Sequence, residues 1–105
     1  MPYIKKESRE LYNEEIDKLV QKLIDNTEGV AYTPWNYGFY KGDMNYIFFR
    51  FIKQFERMSK EEYGTNFGYQ QKSDFIAALR DCADEYQRRY LAPYEDKKIE
   101  ENGDV

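Results

Sequence analysis

The stretch Asp43-Met44-Asn45-Tyr46-Ile47-Phe48-Phe49-Arg50-Phe51-Ile52-Lys53-Gln54-Phe55-Glu56-Arg57-Met58 decides the reading of this chain. Met44, Ile47, Phe48, Phe51, Ile52, Phe55 and Met58 recur at three- and four-residue spacing, which is the period of an amphipathic α-helix and not of a strand. Asp43, directly after Gly42, is a favoured N-cap residue and marks the expected start of a helix over about 43–62. Tyr46 and Phe49 fall outside the stripe, so the first two turns are apolar nearly all round. A helix of that kind needs partners on more than one side. Three helices in one small monomer hardly supply them, and self-association into at least a dimer is expected.

Opposite the stripe, Arg50, Lys53, Arg57 and Lys60 form a basic ridge in an acidic protein. Such a ridge is either a solvated face holding a few ion pairs or a contact for an anion or phosphate.

Two further helices flank the central one. Tyr12, Ile16, Leu19, Val20, Leu23 and Ile24 repeat with helical period over about 8–25, with Asn26 and Gly29 as stop signals. After a turn bracketed by Gly64 and Gly68, Ile76, Leu79, Ala83, Tyr86 and Tyr90 outline a third helix over about 70–91. Its charges suggest the i,i+4 pairs Arg80 with Asp84, Asp84 with Arg88 and Glu85 with Arg89. Pro93 is expected to end this helix and to push Ala92 toward extended backbone. Residues 93–105 are then expected to form an extended, docked tail, with Asn102-Gly103 as a turn signal. The expected fold is one all-α domain over 1–105: a three-helix bundle with an aromatic loop and an extended C-terminal tail.

Composition removes several chemistries. Histidine is absent, which excludes Ser-His-Asp and Cys-His catalysis and any zinc site built with histidine. A lone cysteine, Cys82, excludes an intrachain disulfide and a CxxC knuckle. Its place within the third helix reads as a small buried apolar residue. No segment approaches the roughly 18 apolar residues that span a bilayer, and no apolar leader region follows Met1. A soluble, cytoplasmic protein is the expectation. The net charge is −4, of which the residues from Pro93 onward carry −3, so the nearly neutral body disfavours general nucleic-acid binding.

Aromatic residues make up 18% of the chain, more than so small a domain can bury, and exposed aromatics favour interfaces. Tyr32, Trp35, Tyr37, Phe39 and Tyr40 crowd the loop from Thr27 to Gly42, which reads as a lid on the core, an interface or part of a ligand pocket. A nucleotide needs a stacking face and phosphate donors. The candidates are Trp35, Tyr37 and Tyr40 with Arg50, Tyr86, Arg88, Arg89 and Tyr94, while Asp43 and Asn45 offer hydrogen bonds to a ribose or base. A magnesium site is the enzymatic alternative, with Asp81, Asp84 and Glu85 converging on Glu14, Glu15 or Asp17.

The opening Met1-Pro2-Tyr3-Ile4-Lys5-Lys6 and the closing Pro93-Tyr94-Glu95-Asp96-Lys97-Lys98-Ile99-Glu100-Glu101-Asn102-Gly103-Asp104-Val105 carry a resemblance. The chain is similar to a family of small bacterial, archaeal and phage proteins of unknown function that begin MPYI and end PYEDxKxxENGDVY. Gly42 to Ile47 matches that family's GDLNY-type motif, and Tyr86 with Arg88-Arg89 its FYRR-type segment. The chain departs from the pattern at two points: the family's further terminal tyrosine is missing, and the segments from Ala31 to Lys41 and from Ser59 to Phe67 are longer.

The expected function is that of a non-enzymatic, homo-oligomeric binding protein without a cofactor. The resemblance to phage proteins sharpens it to a phage-encoded anti-defence sponge that sequesters a nucleotide-type immune signal in the host cytoplasm. A protein–protein scaffold or inhibitor is the first alternative, and a magnesium-dependent all-α nucleotide hydrolase the second.

Overall fold

The computed structural model describes residues 2–25 and 38–105, with side chains in the second stretch from residue 41 onward. The fold is all-α, as the periodicity implies, and no strand occurs among the described residues. The helices are α1 (Lys6–Asp25), α2 (Gly38–Tyr63), α3 (Tyr69–Tyr86) and α4 (Ala92–Asn102), with a π-helical turn over Gln87–Leu91 joining the last two. The chain divides into two units, Ile4–Asn66 in one and Met1–Tyr3 with Phe67–Val105 in the other.

In the first unit, α1 opens where Ser8 and Arg9 donate their backbone N–H groups to Lys5 O at 3.0 and 3.2 Å. The Arg9 side chain adds Nε to Ile4 O at 2.8 Å, satisfying a carbonyl at the helix entrance. α2 begins at Gly38, so Asp43 lies inside it and is not its N-cap. The cause is energetic: Gly42 within a helix costs only about 1 kcal/mol relative to alanine, too little to break a helix with a long apolar stripe beyond it. The end of the expected aromatic loop, Gly38–Gly42, is therefore helical, and the remaining loop residues lie outside the described ones. Gly64 ends α2 with φ +69° while donating its N–H to Lys60 O at 2.8 Å.

In the second unit, the Gln71 side chain accepts the Gly68 N–H at 3.0 Å and so supplies the half of a capping box that glycine can join. Phe67 packs back on Phe75 of α3, ring centroids 5.6 Å apart. The main departure from expectation lies beyond Tyr86. Pro93 does not stop the helix, Ala92 is helical (φ −60°, ψ −45°), and the tail expected to be extended is α4. Proline in a regular helix removes one i→i−4 hydrogen bond and drives its ring into the carbonyl four residues back. Here the ladder widens just before it: Ala92 N–H reaches Gln87 O, five residues back, and the proline enters as the opening of a new helix. Asn102-Gly103 then acts as a helix stop, with Gly103 at φ +86° and its N–H on Ile99 O at 2.7 Å.

None of the described residues is buried, which differs from the packed core that a three-helix bundle implies. Leu11 is 71% exposed, Phe49 69%, Phe51 65% and Ile76 50%. Cys82, expected to be buried, is exposed for the same reason.

Because a Cβ at Gly64 would meet nothing within 4 Å, only backbone conformation opposes a larger residue there. Gly64→Ala is expected to lower stability by about 1 kcal/mol, and Gly64→Asn by less, in denaturant titrations. Equal stability of Gly64→Ala and the parent would contradict the left-handed stop.

Candidate functional site

Two clefts concentrate polar side chains, one in each unit. The first is an open cleft of about 510 Å³ where the C-terminal turns of α1 meet the N-terminal part of α2. Leu19, Lys22, Leu23 and Asp25 line it from α1, and Asp43, Tyr46 and Ile47 from α2. The helical repeat produces these sets, since 19, 22 and 23 share one side of α1, as do 43, 46 and 47 of α2. Asp43 is half-buried, and its Oδ2 is out of solvent without a hydrogen-bond donor. A carboxylate oxygen left so costs free energy that a donor from elsewhere would recover. Lys22 makes no ion pair among the described residues.

The second cleft, about 330 Å³, is lined by Pro2, Asp81, Asp84, Glu85 and Arg88. Beside it lies a connected polar cluster. Glu85 pairs with Arg88 one turn on and also accepts the Tyr3 hydroxyl at 3.1 Å. Tyr3 Oη in turn accepts Arg89 Nη1 at 2.9 Å. The Arg89 guanidinium lies over two rings, 5.8 Å from the Tyr3 centroid and 5.1 Å from that of Tyr90. Tyr90 packs on Tyr86 at 5.0 Å. The Arg88 hydrogen bond, helped by that of Tyr3, holds the Glu85 carboxyl below its ordinary range, against a smaller opposing desolvation. Arg88 is pushed up by Glu85, and Arg89 by the Tyr3 hydroxyl.

The sequence-predicted site residues are thus distributed over both units. Asp43 lines the first cleft. Arg50 lies about two turns further along the same side of α2, while Asn45, about 200° round from Asp43, takes another face. Tyr40 falls in the first turn of α2, and Trp35 and Tyr37 lie outside the described residues. Tyr86, Arg88, Arg89 and Tyr94 follow one another down α3, the π turn and α4. Tyr94 does not combine with the two arginines as expected. It takes Lys98 Nζ at 5.7 Å, because the helix continues through Pro93 and sets residue 98 one turn beyond it.

Of the i,i+4 pairs expected on the third helix, Glu85 instead takes Arg88 at i,i+3, leaving Arg89 to Tyr3. Arg57 of the basic ridge is held within its own helix, by Glu61 at 2.7 Å and Gln54 at 2.8 Å. The acids Asp81, Asp84 and Glu85 are neighbours in the second cleft. No cluster of three or more carboxylate or thiol ligands placed to hold a metal ion occurs among the described residues. Glu14, expected to join them, pairs with Lys18 at 2.9 Å.

Residues that sequence reasoning did not assign to a site are Tyr3, Tyr90, Lys22 and Tyr46. Tyr3 belongs to the opening motif, and that motif was the available signal. Lys22 and Tyr46 had none, because charge and aromaticity on a helix face do not disclose which element meets that face.

The chain matches, over residues 1–105, the family described as a domain of unknown function, DUF6899, and it belongs to that family. No curated protein and no solved structure matches it. No described helix is long and apolar enough to cross a membrane.

The depressed Glu85 carboxyl has a pH consequence. A carboxylate whose folded pKa lies below its unfolded value contributes stability above the ordinary value of 4.5, and that contribution is lost as pH falls through the lower folded value. Thermal unfolding of the parent and Glu85→Gln should therefore differ at pH 7, with the parent more stable, and converge below pH 4.5. Melting curves that stay parallel as pH falls through the acid range below 4.5 would contradict this role.

Proposed function

We propose that this protein is a non-enzymatic homo-oligomer that binds a nucleotide-type small molecule, with the cleft at Asp43 as its principal site. The observation that carries the reading is the complete lack of buried side chains among the described residues alongside large apolar faces on every long helix. Apolar helix faces that stay exposed among the described residues gain stability when buried against copies of the chain, as in obligate oligomers.

The ligand class rests on the chemistry of the first cleft. Tyr46 offers a face for a base, Leu19, Leu23 and Ile47 offer apolar walls, and Lys22 offers a cation for phosphate. The unsatisfied Asp43 Oδ2 accepts an N–H from a base or an O–H from a ribose. Arg50, further along the same side of α2, extends the cationic reach. Together with the resemblance to phage proteins, this supports the finer reading of a sponge that sequesters a nucleotide-type immune signal. Binding without turnover is the mode that a stacking surface, one acceptor and flanking cations provide. A scaffold or inhibitor that grips another protein is the second reading, and exposed aromatics such as Phe49, Phe51 and Tyr69 favour it.

Native mass spectrometry of gently purified protein tests the proposal. The expected result is a symmetric oligomer retaining extra mass in the nucleotide range. Added ligand at about 100 times its dissociation constant should raise stability by roughly 2.7 kcal/mol, and Asp43→Asn should weaken binding at least tenfold. A clean monomer overturns the oligomer. Nucleotide turnover that needs Mg²⁺ and is lost in Asp84→Asn makes the protein an enzyme and overturns the sponge.

A further inference from the structure

Charges on two helices of the chain divide into those satisfied locally and those left over. On α4, Lys98 pairs with Glu101 at 3.2 Å and lies over Tyr94, so Tyr94, Lys98 and Glu101 settle one another on one side. The other side carries Glu95, Asp96 and Glu100 around Ile99, which is 47% exposed. At about 100° per residue these four fall within roughly 140° of arc. None of the three carboxylates has a cationic partner among the described residues.

α2 shows the converse. Arg57 is committed to Glu61 and Gln54. Arg50, Lys53 and Lys60, on the same side, have no partner among the described residues. Phe49, 69% exposed, lies along the same edge. Arg50 to Lys60 spans about 15 Å of helix, and Glu95 to Glu100 about 7.5 Å, so the shorter acidic face fits within the longer basic one.

We propose that the acidic side of α4 docks on the basic ridge of α2 in a second copy of this chain, with Ile99 seated against Phe49. The inference rests on the oligomeric reading above and names the surface that builds the oligomer. Complementarity of charge is what selects the occupant: three unpaired cations with an exposed ring face three unpaired carboxylates with an exposed aliphatic side chain. Opposite charges meeting at such an interface steer association and fix register. Every copy carries both halves, so two copies can exchange α4 reciprocally, or more can close into a ring. The straightening of the tail into a helix through the π turn is what gathers Glu95, Asp96, Ile99 and Glu100 onto one side. An extended strand would alternate them between two faces.

Charge reversal in the full-length protein tests the proposal, read as subunit number by native mass spectrometry and as dissociation constant by dilution at two salt concentrations. Lys53→Glu/Lys60→Glu and Glu95→Lys/Glu100→Lys are each expected to weaken assembly at least tenfold. The four substitutions combined should recover most of the parent's affinity, and the parent should weaken as salt rises. All these positions are exposed on helices, and circular dichroism verifies that each variant keeps its helix content. An oligomer whose dissociation constant stays within twofold in both reversed variants overturns this interface and leaves the oligomeric reading standing. Loss of assembly in both, without recovery in the combination, also overturns the pairing. A monomeric parent overturns both readings together.

Discussion

Exposed apolar surface on the described helices is the constraint on which the rest of this structure depends. The helices carry their hydrophobic residues in clean stripes, yet none of the described side chains is buried. Burial of apolar surface supplies most of the free energy that offsets chain entropy on folding. Helices of this length are marginal in water without it. Local devices such as the Gln71 cap, the Glu14–Lys18 pair and the Phe51–Phe55 stack contribute only fractions of what a core supplies. In the proposed oligomeric reading, the exposed Phe49, Phe51 and Ile76 belong to the interior of the assembly.

The polar chemistry follows the same division between local satisfaction and surplus. Around the π turn, Glu85, Arg88, Arg89, Tyr3 and Tyr90 satisfy one another. That cluster ties the N-terminal arm to α3 and the turn beyond it, and its arginines are already spoken for. The nucleotide reading accordingly shifts away from Arg88 and Arg89. It moves toward the first cleft, where, among the described residues, the Asp43 oxygen lacks a donor and Lys22 lacks an ion pair.

Much of the fold was legible in the residues. The stripe from Met44 to Met58 and the repeats from Tyr12 to Ile24 and from Ile76 to Tyr90 place three helices, whose ends differ from expectation at Asp43 and at Pro93. Asp43 read as a cap because aspartate favours that position, yet one favourable cap does not outweigh continued propagation through Gly42. Pro93 read as a stop because proline breaks the regular ladder, yet a π turn before it changes the register and lets the helix resume. The candidate site was less legible. Asp43 was singled out for hydrogen bonding, but Lys22 and Tyr46 were not, since the meeting of α1 and α2 is a fact of packing.

By itself, the sequence determined what depends on local periodicity and residue chemistry. That comprises the all-α class, the approximate helices, the absence of histidine and of an intrachain disulfide, and membership of a family whose match runs over residues 1–105. Only the tertiary structure decided which neighbours each side chain has. It gave Arg89 to Tyr3 in place of Glu85 and left the Asp43 Oδ2 without a donor among the described residues. The physical reason is range: helix period is set within a few residues, whereas a hydrogen bond across 86 positions exists only once the chain has folded back to bring its ends together.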